Sequence, residues 1–381
     1  MSKHYVLSAG GTGGHMVPAA ALAEELTKRG HRVALVSDAR GVRFPGLFDN
    51  VQTHVLPAGR FQPRKPLGWA SAAREMWRGR AMARELYRTF KPAAVIGFGG
   101  YPAFPALLAA FADDIPTAVH EQNAVLGRVN RLVARRVDAI ATSYDRTQRL
   151  PASAAAKVHL VGNPVREAVL RLRAKPYPLL EEDGIFRILV TGGSQGASIL
   201  SQVVPDGLAM LPVSFRRRLQ VTHQARIEDI DAVRAKYSEH QIPAELATYL
   251  PDLPDQLAWA HVVIARAGAS TIAELTAAGR PAILVPLPSA TDDHQTANAR
   301  EITQAGGART IAQGEFTAKE LAKQMQKLGL DPAALENAAG RAKSVGRPNA
   351  VSDLADLVES LDAPVARLPV VAPAKPKAAF A

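Results

Sequence analysis

Two glycine-rich turns of one design, about half the chain apart, constrain this sequence most. Gly10-Gly11-Thr12-Gly13-Gly14 follows the β-like run Tyr5-Val6-Leu7-Ser8-Ala9, and Gly192-Gly193-Ser194-Gln195-Gly196 follows Phe186-Arg187-Ile188-Leu189-Val190-Thr191. A glycine turn between a strand and a helix exposes backbone N–H groups at the helix N-terminus, where anions bind. Two such turns predict two nucleotide-binding-like domains facing one cleft, and an enzyme with two phosphate-bearing substrates. A third cluster, Gly97-Phe98-Gly99-Gly100-Tyr101, also follows a β-like run. With the first turn it could clasp a pyrophosphate in the crevice where α/β proteins bind ligands.

The rest of the chain fits that frame. Its 381 residues suit two domains, and segments of β and helix character alternate throughout, which predicts an α/β fold with parallel sheets. Expected strands cover 4–9, 32–37, 93–97, 116–120 and 138–142, then 186–191, 218–223, 246–250, 261–266 and 281–286. Expected helices of the first half cover 16–29, 69–89, 102–111 and 124–135. Gly162-Asn163-Pro164-Val165 closes a first domain, 1–165, and a second runs over 166–347. A helix at about 348–362 is amphipathic and can cross back to the first domain. The Pro-, Ala- and Lys-rich tail, 364–381, has the composition of a disordered segment.

A lone glycine turn also serves plain helix–strand packing, but three on one plan weaken that reading. The first turn departs from the dinucleotide fingerprint, because Met16 stands where its third glycine belongs. Asp38, at the end of the second expected strand, is the one residue favouring a nicotinamide enzyme. The chain has no cysteine, which rules out disulfides and thiolate metal sites. Asp229-Ile230-Asp231 sits in an expected helix, where residues two apart face different directions, so no metal site is expected.

Several longer motifs resemble one family closely. These are Gly10-Gly11-Thr12-Gly13-Gly14-His15, Gly97-Phe98-Gly99-Gly100-Tyr101-Pro102, His120-Glu121-Gln122-Asn123, Gly162-Asn163-Pro164-Val165-Arg166 and Gly192-Gly193-Ser194-Gln195-Gly196-Ala197. Arg266-Ala267-Gly268-Ala269-Ser270-Thr271-Ile272-Ala273-Glu274 and Asp293-His294-Gln295-Thr296-Ala297-Asn298-Ala299 continue the series. In content and order they resemble the MurG family of bacterial peptidoglycan glycosyltransferases, from residue 5 to about 360. Ala267 departs from the serine expected in many members.

The resemblance implies the GT-B fold, two Rossmann-like domains around a central cleft. It implies transfer of N-acetylglucosamine (GlcNAc) from UDP-GlcNAc to lipid I, undecaprenyl-pyrophosphoryl-MurNAc-pentapeptide, giving lipid II without a cofactor. It places the protein peripherally on the cytoplasmic face of the bacterial inner membrane, with cell-wall and division proteins as partners. For the donor it implicates Thr12, Gly13, Gly14, Asn123, Arg166, Ser194, Gln195, Leu250, Ala269, Ser270, Thr271, Ile272, Ala273, Glu274 and Gln295. Glu274 would take the ribose hydroxyls from the first turn after the Gly268–Thr271 loop. Leu250 would lie beside uracil, and Gln295 would bond the sugar hydroxyls with Asn298 in support. Arg166 would neutralise charge growing on the leaving diphosphate. Gly13, Gly14, Gly99, Gly100 and Tyr101 would hold the acceptor pyrophosphate. His15 is the candidate base for an inverting reaction, since a helix N-terminus disfavours imidazolium. His120 and Glu121 are its rivals or supports.

Charge separates the halves. Residues 1–165 carry 22 Lys and Arg against 11 Asp and Glu, whereas the remainder balances. Trp69, Ala73, Met76, Trp77 and Arg80 recur at helical spacing, with Arg74, Arg78, Arg84 and Arg88 around them. Aromatics rimmed by arginines describe a helix lying in an anionic membrane interface, and Arg128, Arg131, Arg135 and Arg136 would extend the patch. An ordinary surface helix with its stripe in the core is the alternative. No nucleic-acid-binding module is recognisable, so no nucleic-acid partner is expected. A transferase using another lipid acceptor and a non-catalytic nucleotide-binding regulator remain the competing functions.

Overall fold

The computed structural model describes residues 2–361 except Gly11, 42–46, 60–68, Glu182, Ser194, Gln195 and Leu330. Ser194, Gln195, residues 64–68 of the arginine–tryptophan segment and the C-terminal tail therefore lie outside the described residues.

The N-terminal domain holds strands β1 (His4–Ser8), β2 (Arg32–Ser37), β3 (Gln52–Val55), β4 (Ala94–Gly97), β5 (Thr117–Glu121), β6 (Ala139–Thr142) and β7 (Val158–Leu160). They form one parallel sheet ordered β3-β2-β1-β4-β5-β6-β7. Helices α1 (Gly13–Lys28), α2 (Trp69–Phe90), α3 (Ala103–Ala112) and α4 (Arg128–Val133) cover its faces, and α5 (Glu167–Leu172) follows it. The C-terminal domain repeats the plan with β8 (Phe186–Thr191), β9 (Leu219–Gln224), β10 (Ala244–Ala247), β11 (Val262–Ala265), β12 (Ala282–Leu284) and β13 (Ala308–Thr310), in the order β10-β9-β8-β11-β12-β13. Its helices are α6 (Ser198–Ala209), α7 (Val213–Arg216), α8 (Ile230–Glu239), α9 (Leu253–Trp259), α10 (Ala269–Ala278), α11 (His294–Ala305), α12 (Ala318–Gly329) and α13 (Pro332–Ser344); α14 (Ala350–Ser360) ends the described chain.

Alternation along the central strands builds a core on each sheet face, because successive strand side chains point to opposite sides. In β1, Tyr5 and Leu7 pack with α1 and α14, while Val6 packs toward α2 and α3. In β8, Phe186, Ile188 and Val190 enter one cluster and Leu189 the other. Helix α14 belongs to the N-terminal domain: Leu354, Ala355 and Val358 are fully buried in the α1 cluster. Arg29 pairs there with Asp356 and Glu359 at 2.6 Å. The chain thus crosses between domains twice, and the crossings touch, since a Cβ on Gly162 would lie 2.7 Å from Cβ of Arg347. Asp229 stands at the N-cap position of α8 without a side-chain capping bond, and Asp231 pairs with Arg234, so the two carboxylates do not converge on one site.

Candidate active site

In both sheets the order reverses beside the strand preceding the glycine turn, between β1 and β4 and between β8 and β11. Such switch points open a crevice at the strand ends. The two crevices face each other across a cavity of about 950 Å³, within the range of small-molecule sites. The N-terminal domain lines it with Thr12, Gly13, Gly14, His15, Gln122 and Asn123. From the C-terminal domain come the Gly192–Gly193 turn, Leu250 and the start of α10 from Gly268 to Thr271, with Glu274 and Gln295 beside them.

His15 lies in the first turn of α1, and its Nδ1 is 2.9 Å from the Gly10 carbonyl oxygen. A carbonyl only accepts, so Nδ1 carries a proton, and Nε2 is the ring nitrogen left to act as a base. That nitrogen would lie 3.2 Å from a Cβ on Gly99. Gly99 and Gly100 have φ of +91° and +76°, a backbone only glycine adopts without strain. The first and third glycine clusters therefore do meet, with the imidazole wedged between them and Tyr101 half-buried alongside.

His120 and Glu121, named as rivals or supports of the base, spend their polar atoms on neighbouring groups. His120 is fully buried, its Nε2–H donating to the Gly162 carbonyl at 2.9 Å and its Nδ1 accepting from Gln122. Burial pushes its pKa down to about 4. Glu121 accepts from the Asn123 backbone N–H and Nδ2 on one oxygen, and from Gly127 N–H and Asn130 Nδ2 on the other, at 2.7–3.2 Å. A carboxylate so saturated shapes the loop after β5, which fits a supporting place better than that of a rival base.

Asn298, expected in support of Gln295, is held by groups on both domains. It is completely buried, with Oδ1 accepting from Ala124 N–H at 2.7 Å and Nδ2 donating to Asn123 Oδ1 and the Ala267 carbonyl. It pins one domain to the other and does not reach the cleft. Asn123, its partner, does line the cavity.

On the C-terminal side, Gly268 caps α10, so Ala269, Ser270 and Thr271 form its first turn and Glu274 sits in the second, not the first. The Ser270 hydroxyl is buried with no partner among the described residues. Ile272 packs into the domain core and Ala273 faces a smaller cavity behind α10, so neither side chain lines the cleft. Arg166 donates from Nε and Nη2 to Glu274 Oε1 at 3.1 and 2.7 Å. Burial pushes the Glu274 carboxyl up, and the Arg166 charge pulls it part of the way back. Gln295 accepts from Leu287 N–H at 3.0 Å, which leaves its amide NH₂ to face the cavity.

Two cleft residues escaped the sequence reading of the site. Arg266 donates to the carbonyls of Val285 and Pro286 and to Gln313 Oε1 at 2.7 Å. Gln224 holds the glycine turn, accepting from the Thr191 hydroxyl and donating to the Gly193 carbonyl. Arg266 opens the Arg266–Glu274 motif and Gln224 carries no such signal, but the role of each depends on partners from other segments.

The arginine–tryptophan helix divides its stripe. Trp69, Trp77 and Met82 are exposed, whereas Ala72, Met76, Gly79 and Ala83 face the core. Met76 is thereby removed from the surface patch. Arg74 and Arg78 are exposed, and Arg80 lies over the Trp77 ring. Arg84 is engaged by Asp113, and Arg131 by Asp292 of the other domain. Among the described residues no helix is long and apolar enough to cross a membrane.

Two Rossmann-like domains presenting glycine turns and helix N-termini to one cleft define the GT-B architecture. Residues 5–142 match the glycosyltransferase family 28 N-terminal domain, and residues 187–357 match that family's C-terminal domain. The chain is 63% identical to the UDP-N-acetylglucosamine–N-acetylmuramyl-(pentapeptide) pyrophosphoryl-undecaprenol N-acetylglucosamine transferase of Erythrobacter litoralis, covering 94% of this chain and 90% of that one. Identity to the enzyme of the same name from Novosphingobium aromaticivorans is also 63%, over 95% and 93%. The crystal structure of Acinetobacter baumannii MurG superposes with a TM-score of 0.76 at 30% identity, covering 94% and 99%. The chain belongs to the MurG family of glycosyltransferases.

Proposed function

We propose that the enzyme transfers GlcNAc from UDP-GlcNAc to the C4 hydroxyl of MurNAc in lipid I, forming lipid II with inversion at the anomeric carbon. The relatives at 63% identity carry this activity in their names. The observation that carries the mechanism is His15, whose protonated Nδ1 leaves Nε2 as a base at the cleft. Nε2 takes the C4 hydroxyl proton as that oxygen bonds to C1 of GlcNAc. The bond from C1 to the diphosphate breaks, and UDP departs with the electron pair. The N-termini of α6 and α10 stabilise the growing negative charge. Arg166 adds a positive charge once it shares Glu274 with the nucleotide.

In this reading the donor lies against residues 166–347 and the acceptor against residues 1–165. Glu274, Leu250, Ala269, Ser270 and Thr271 bind the nucleotide, while Asn123 and Gln295 meet the sugar. Gly13, Gly14, Gly99 and Gly100 supply backbone donors to the acceptor pyrophosphate, with Tyr101 beside them. Exposed Trp69 and Trp77, ringed by Arg74, Arg78 and Arg80, dock the enzyme on the anionic cytoplasmic face of the membrane, where a lipid-linked acceptor resides.

Product mass spectrometry with purified enzyme, UDP-GlcNAc and a short-chain lipid I analogue tests the assignment. A disaccharide product dependent on both substrates supports it. Hydrolysis alone, or transfer to another lipid, refutes it.

A further inference from the structure

The segment between β12 and α11 reaches across the cleft mouth. Asp292 Oδ2 accepts from Arg131 Nη2, and its Oδ1 from Arg149 Nη1, both at 2.7 Å. Both arginines belong to the N-terminal domain. The carboxylate is only 16% exposed. Asp292 and Asp293 lie in the left-handed region, with φ of 57° and 52°, and Arg149 is there too at 59°. Consecutive non-glycine residues in that region persist only where their surroundings fix them.

Three residues on, Gln295 turns its amide to the cavity, and three further on Asn298 bonds the backbone of Ala124. The Arg149 segment and the Ala124 segment are stitched together by hydrogen bonds between Gln148 and residues 124 and 126. The beginning of α11 is therefore gripped by one rigid part of the opposite domain on both sides of Gln295.

We propose that Asp292 is a positioning residue: its pairing with Arg131 and Arg149 sets Gln295 in the cleft, so recognition of the donor's sugar depends on contact between the domains. This rests on the reading of Gln295 as a sugar contact. Nucleotide binding, which uses α10 and the glycine turn, is independent of the latch.

Titration calorimetry with UDP and with UDP-GlcNAc on wild type, Asp292→Asn, Asp292→Gly, Arg131→Gln and the Asp292→Asn/Arg131→Gln double variant tests this, with melting curves as a fold control. Asp292→Asn should lose about tenfold in UDP-GlcNAc affinity and under about twofold in UDP affinity. The double variant should lose little more than Asp292→Asn alone. Asp292→Gly, which relieves the backbone, should behave like Asp292→Asn. Equal losses for both ligands, no loss for either, additive single variants, or normal binding by Asp292→Gly would each overturn the proposal. Failure of the wild type to bind UDP-GlcNAc would instead sink the reading of the site itself.

Discussion

Arg166 and Glu274 hold each other across 108 positions of sequence, two guanidinium nitrogens converging on Oε1 at 3.1 and 2.7 Å. The pair joins the residue proposed for the diphosphate to the one proposed for the ribose. A nucleotide bridging both groups would find their geometry already set.

Removing Arg166 would strand a buried carboxylate. Arg166→Ala should cost about 2 kcal/mol of stability, below the figure for a fully buried pair because Arg166 is 30% exposed. Glu274 already has a folded pKa above its unfolded one, so stability falls as pH rises from 4.5 through the raised value. Arg166→Ala should raise that pKa further and deepen the fall, and Glu274→Gln should abolish it. Urea unfolding across acid and neutral pH reads both effects.

His15→Asn should lower kcat by roughly 10²- to 10⁴-fold, the usual share of a general base. UDP binding should stay within about twofold, because its proposed contacts lie on the other domain. Gly99→Ala, which puts a methyl 3.2 Å from Nε2 on a backbone of positive φ, should lower kcat in the same assay. Near-normal turnover by His15→Asn would remove it from the chemistry.

Surface arginines of α2 should differ in effect. Reversing Arg74 or Arg78 to Glu should weaken binding to vesicles containing anionic lipid by at least about fivefold each while sparing UDP binding. Arg84→Glu should instead lower the melting temperature, since Arg84 is bonded to Asp113. Flotation and calorimetry on the same samples separate the two outcomes.

Acid should destabilise the protein through its buried histidines. Burial pushes His120 down to about 4 and His223 to about 3, from 6.5. The unfolded chain then protonates first, so this stability is complete above pH 6.5 and drains as pH falls toward 4. The limiting slope is ~1.4 kcal/mol per pH unit for each histidine. A flat profile of unfolding free energy between pH 7 and 5 would contradict this.

Central strands were legible because they are short buried runs, and β1, β4 and β8 lead into glycine turns. The missed strands, β3, β7 and β13, lie at sheet edges, and Gln52–Val55 and Val158–Leu160 are largely exposed. Such segments pair without a hydrophobic run to announce them. Within the site, His15 and the glycine turns could be placed because their chemistry is local. The roles of Glu121, Asn298 and Asp292 depend on partners brought in by tertiary packing. Met76 and Trp77 show the limit of periodicity: neighbours about 100° apart on a helix can fall on opposite sides of a burial boundary.

Helix α14 sets an order of completion. A ribosome releases the N-terminal domain first, yet the apolar face of α1 must wait for Leu354, Ala355 and Val358, which follow the whole second domain. The second domain can close while the first is still unfinished. The half that begins the chain is the last to be sealed, so a prematurely terminated product would bare the hydrophobic seam of its oldest part.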